Sequence, residues 1–79
     1  MKTLLSQLKS GQTGIIKKIR GSGHIQKRII DMGVVPGTKV VVEKFAPLTD
    51  PMEIKIKGYN LSLRKAEAEF IEVELVNQN

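Results

Sequence analysis

The chain has no cysteine and no tryptophan, and its aromatics are limited to Phe45, Tyr59 and Phe70. Without thiols there is no disulfide framework and no thiolate metal site. So few rings count against a single-strand nucleic-acid binder, which stacks bases on aromatics. No apolar run approaches the roughly 18 residues of a membrane span. Met1 to Leu5 do not grow into a signal-peptide core either, because Ser6, Gln7 and Lys9 interrupt the apolar stretch. The sequence therefore reads as cytosolic. Acid is missing from an entire region. Residues 1–30 contain none, although Lys2, Lys9, Lys17, Lys18, Arg20, Lys27 and Arg28 lie there.

At 79 residues the chain has room for one domain, 1–79, and one core. Its 41% hydrophobic and 27% charged residues are ordinary globular composition. Thirteen basic against eight acidic residues give a net charge of +5, which favours an acidic partner or remains a solvated basic face. Four of the acids, Glu67, Glu69, Glu72 and Glu74, sit in the C-terminal quarter, alternating with other residues as on a solvated strand face.

Leu4, Leu5 and Leu8 fit one short helical turn, which Ser10-Gly11 ends. Gln12 to Arg20 is strand-like, but Ile15, Ile16 and Ile19 do not alternate cleanly, so a bulge or cover on both faces is expected. From His24 to Met32, the apolar residues Ile25, Ile29 and Met32 fall at i, i+4 and i+7, the stripe of a helix. Gly33 follows the helix end, where a left-handed residue is favoured, and Pro36-Gly37 turns the chain into a strand from Thr38 to Phe45. Asp31 opposes the helix dipole in the last turn, so a basic neighbour, Lys27 or Arg28, is expected to compensate it.

Ala46 to Pro51 is a loop, since its two prolines and Asp50 cannot continue a central strand. Ile54 and Ile56 alternate with charges over Glu53–Lys57. Gly58–Asn60 reads as a hairpin turn, and Leu61 with Leu63 resumes the period of two. Lys65 to Glu69 suits one helical turn, and Ile71 to Leu75 is a clean strand. Five short strands and one helix predict a small bent barrel whose closure removes exposed edges. The expected core is Leu8, Ile16, Ile25, Ile29, Val40, Val42, Ile54, Ile56, Leu63, Ile71 and Val73.

Catalysis finds no constellation. There is one His, no Gly-x-Ser-x-Gly and no Walker lysine. Gly21-Ser22-Gly23-His24 lies between strand and helix but lacks the third glycine of a phosphate loop, and reads as an ordinary strand-to-helix turn. His24, Asp31 and Asp50 are weak metal candidates. The first two are about 10 Å apart along a helix and cannot share an ion unaided.

The order of Leu8, Gly11, the Ile16 strand, Gly21, Arg28 to Gly37, Ala46-Pro47-Leu48 to Asp50-Pro51, Gly58, and Leu63-Arg64 through Ala68 resembles the ferrous iron transport protein A (FeoA) family. The likeness runs from Leu4 to Val76 and departs at Thr49, where members often carry glycine. The resemblance implies a mainly β, SH3-like barrel with one helix in its first long loop. It also implies a small cytosolic accessory of the bacterial ferrous-iron permease, a membrane protein with a GTPase domain. Iron(II) would be the cargo of that partner, with no cofactor held tightly by the accessory and a family link to transition metals. Such an accessory would be cytoplasmic, at the inner face of the membrane only through its partner.

The alternatives are a basic SH3-like nucleic-acid module and a free-standing counterpart of the C-terminal domain of metal-dependent repressors. Arg28, Val35, Leu48 and Asp50 are the expected contacts with the permease or with a second copy of the chain. They are chosen because the loops Val34-Val35-Pro36 and Ala46-Pro47-Leu48 carry apolar residues, and loops on a rigid scaffold carry binding.

Overall fold

In the computed structural model, which describes residues 2–45 and 50–76, six strands form one antiparallel sheet. They are β1 (Lys2–Leu4), β2 (Thr13–Ile19), β3 (Lys39–Phe45), β4 (Met52–Ile56), β5 (Tyr59–Leu63) and β6 (Ile71–Leu75). Their order across the sheet is β1-β6-β2-β3-β4-β5. Helix α1 (His24–Asp31) joins β2 to β3, a one-turn helix α2 (Lys65–Ala68) joins β5 to β6, and a 3-10 turn (Leu5–Gln7) follows β1.

The mainly β class agrees with the sequence, but two details do not. The strands number six, because Lys2–Leu4 pairs with β6 in the register Thr3 to Val73, which takes Leu4 out of the expected helical turn. The sheet is also open: β1 and β5 occupy its two ends and do not pair with each other. The 3-10 turn still carries part of the leucine pattern inward, with Leu5 fully buried and Leu8 nearly so.

Local chemistry explains the rest. The irregular isoleucines of β2 mark a shift of register against β6 between Ile16 and Lys18. That shift lets Ile16 and Ile19 both face the core while Ile15 is half-buried. β4 alternates as expected, with Ile54 and Ile56 inside and Lys55 outside. Ile56 pairs with Tyr59, so the hairpin turn is Lys57-Gly58, one residue earlier than expected. Both turn residues have positive φ, 53° and 84°, the signature of the type I′ turn that matches strand twist.

The core agrees with ten of the eleven expected residues; Ile25 is the exception, at 40% exposed. It is joined by Leu5, Ile19, Val34, Met52 and Ala68. Ile25 fails because α1 tucks in only Ile29, while Met32 further along the same stripe is partly buried. Phe70 packs partly buried against the core, and its ring sits 2.9 Å from where a Cβ on Gly21 would lie. Gly21, at φ 81°, is therefore required by geometry, which accounts for the strand-to-helix glycine without a phosphate.

Candidate functional site

Helix α1 ends in a Schellman turn. The Gly33 N–H donates to Ile30 O at 2.9 Å and the Val34 N–H to Ile29 O at 3.3 Å, with Gly33 at φ 90°. The apolar contact that accompanies such turns is supplied by Val34 and Ile29, both fully buried in one core cluster. Val34 is thus a core residue rather than part of an exposed apolar loop. Val35 is half-buried, and its carbonyl accepts the Thr38 N–H at 3.2 Å. Gly37 N–H then donates to Ile16 O at 2.7 Å, pinning the turn to β2.

Three side chains fasten α1 to the rest of the fold. Gln26 Nε2 donates to Ile19 O of β2 at 3.0 Å. Tyr59 Oη, at the start of β5, donates to Met32 O at 2.7 Å. Arg28 Nε meets Glu67 Oε2 of α2 at 3.1 Å. The helix therefore links β2, β5 and α2, elements that no strand pairing joins. Asp31 is compensated by Lys27 at 3.3 Å, as expected, on an exposed face.

Glu67 is the centre of the polar contacts. Its side chain is 18% exposed; Oε1 accepts the Arg64 N–H at 3.0 Å while Oε2 holds Arg28. Next to it, Asp50 Oδ1 accepts the Lys65 N–H at 2.9 Å. Both carboxylates thus sit at the N-terminus of α2, where amides lack helical partners and negative charge is favoured. Around these groups lies a cleft of about 440 Å³ lined by Arg28, Asp50, Pro51, Ser62, Arg64 and Glu67.

The structure brings Arg28 and Asp50 to this cleft, but Val35 does not line it, and Leu48 lies outside the described residues. His24 and Asp31 are both exposed on α1, and no group of three or more His, Cys, Asp or Glu able to hold a metal occurs among the described residues. Ser62, Arg64 and Glu67 escaped the sequence reading as site residues. The signal for Glu67 was present: an acid three residues after Arg64, at the start of a helical turn, is placed to cap it.

A protein-family model for the FeoA domain matches residues 3–75. The chain belongs to the FeoA family. It is 44% identical, over 75 residues, to a Porphyromonas gingivalis Fe(2+) transport protein A/Fe(2+) transporter FeoB fusion protein. The match covers 95% of this chain and 9% of that relative, so the chain spans under a tenth of its length. The solution structure of a FeoA-like protein from Clostridium acetobutylicum superposes with a TM-score of 0.92 at 33% identity, covering 99% of this chain and 91% of that one. A Stenotrophomonas maltophilia FeoA solved with zinc, described as a procaryotic SH3 domain protein, gives a TM-score of 0.79 at 21% identity. That superposition covers 91% of this chain and 89% of the other, and at such identity it speaks for the fold alone, which is SH3-like.

Proposed function

We propose that this FeoA-family domain is a cytoplasmic accessory that docks on a ferrous-iron transporter of the FeoB type and acts through binding rather than catalysis. The observation that carries this reading is the fusion. A 44% identical relative holds its A part and a FeoB transporter in one polypeptide. A covalent link replaces a docking equilibrium with a high effective concentration, which is useful where two modules work in contact. Iron(II) is then the cargo of the transporter, and the accessory needs no tightly held metal of its own. No helix among the described residues is long and apolar enough to cross a membrane, so contact with one would run through the transporter.

The docking face we assign carries α1, Arg28 and Asp50, and Val35 and Leu48 are assigned to it from the sequence. Pulldown of the transporter from cell membranes tests this. Val35→Glu and Leu48→Glu are expected to weaken capture and lower ferrous-iron uptake while leaving the melting temperature unchanged. Normal capture and uptake by both variants would place the face elsewhere.

A further inference from the structure

We infer that the cleft between α1 and α2 is a receptor for a carboxylate side chain of the docked transporter, with Arg64 and Arg28 as the recognising cations. This deepens the docking reading above and rests on it for the identity of the partner. The argument is a count of what each polar group in the cleft already does. Glu67 is fully engaged, one oxygen on the Arg64 N–H and the other on Arg28 Nε. Asp50 has committed an oxygen to the Lys65 N–H. Each acid of the cleft therefore has at least one oxygen committed to the protein.

Its cations are less committed. Arg28 meets Glu67 through Nε, its side chain is 68% exposed, and no second acid pairs with it among the described residues. Arg64 is exposed and takes part in no ion pair among the described residues. Ser62 adds a hydroxyl to the same wall.

Two guanidinium groups and a hydroxyl around one concavity form a donor-rich surface, and planar forks of N–H groups match a carboxylate with two hydrogen bonds. Glu67 also fixes one of these forks in place by gripping Nε, so less side-chain freedom is lost on binding. The net charge of +5 adds long-range attraction for an acidic face. A carboxylate entering here would meet donors from Arg28, Arg64 and Ser62. An incoming cation would meet two exposed guanidinium groups, and a Glu67 already paired with Arg28.

Two measurements decide the matter. In the first, amide NMR follows titration of the isolated chain with acetyl-Glu-Glu-Glu-amide and with the uncharged acetyl-Gln-Gln-Gln-amide. The acidic peptide is expected to shift Ser62, Arg64, Glu67 and Arg28, with no such response to the neutral one and none in Arg64→Glu. Shifts concentrated instead on Lys17 and Lys18, or equal for both peptides, would overturn the inference without touching the docking proposal.

In the second, capture of the FeoB-type transporter is compared for wild type, Arg64→Glu, Arg64→Lys and Lys55→Glu. The last makes the same change of net charge on the outer face of β4. Arg64→Glu should weaken capture at least tenfold, Arg64→Lys should retain part of it, and Lys55→Glu should bind as wild type. Equal loss in Arg64→Glu and Lys55→Glu would mean unspecific attraction, and undiminished capture by Arg64→Glu would remove the cleft from the interface. A wild-type chain that captures no transporter defeats the docking proposal, and the peptide titration then judges the cleft alone.

Discussion

The sheet and helix α1 are held by different physics. In β3, β4 and β6, residues such as Val40, Val42, Ile54, Ile56, Ile71 and Val73 are essentially fully buried, and stability follows from apolar area removed from water. Helix α1 contributes one buried side chain, Ile29, and is otherwise held by single polar contacts from Gln26, Arg28 and Tyr59. Burial is large and undirected, whereas each of these contacts is small but fixes a position. The sheet is thus held by its buried area, while the position of α1 depends on a few directed contacts, each of which a single substitution can remove.

The largest expected effect lies in the sheet. Ile54→Ala removes a fully buried side chain from a strand paired on both sides, and should cost about 2–5 kcal/mol through lost transfer energy and the cavity left behind. Urea unfolding should show a lower midpoint with unchanged slope. A loss below about 1 kcal/mol would mean that the core yields far more than the contrast drawn here allows.

Gly33→Ala comes next and probes the end of α1. The residue has φ 90°, and an added Cβ would lie 2.7 Å from Tyr59 Oη. Backbone strain of about 1–3 kcal/mol is expected, together with displacement of the tyrosine from Met32 O. Tyr59→Phe removes that hydrogen bond without strain and should cost about 0.5–1.5 kcal/mol. If the two variants destabilise equally, the steric argument for glycine fails and only the hydrogen bond matters. Amide exchange at Met32–Val34 should rise in both.

These residues also show what was legible in the sequence. The end of α1 could be read from Gly33 and Pro36-Gly37 because a Schellman turn is written in half a dozen consecutive residues. Ile54, Ile56 and the irregular isoleucines of β2 were legible because alternation, and its failure at a bulge, are local. Strand β1 was not. Lys2, Thr3 and Leu4 form a strand only because Glu74, Val73 and Glu72 lie beside them, about seventy residues along the chain. The open sheet followed from the same gap, since closure was inferred from a count of five strands. Arg28 and Asp50 could be picked out singly, but their meeting with Arg64 and Glu67 depends on how α1 docks on α2, which no spacing records. Ile25 illustrates that limit best, because a helical stripe tells which side faces inward but not how far along the helix the docking reaches.

The smallest predicted effect sharpens that last point, using two isoleucines of the same helix. Ile29 is fully buried and Ile25 is 40% exposed, although a 3.6-residue period puts them on nearly the same face. Ile29→Ala should cost about 2–5 kcal/mol, as for any well-packed core isoleucine. Ile25→Ala exchanges an exposed side chain for the residue of highest helix propensity, so its effect on folding should stay within about 0.5 kcal/mol. Equal losses would show that the whole stripe is anchored and α1 is part of the core. If the difference is as large as expected, Ile25 has no structural reason to be apolar at the surface. Its effect on transporter capture, measured in the same folded Ile25→Ala variant, then reports on the docking face directly.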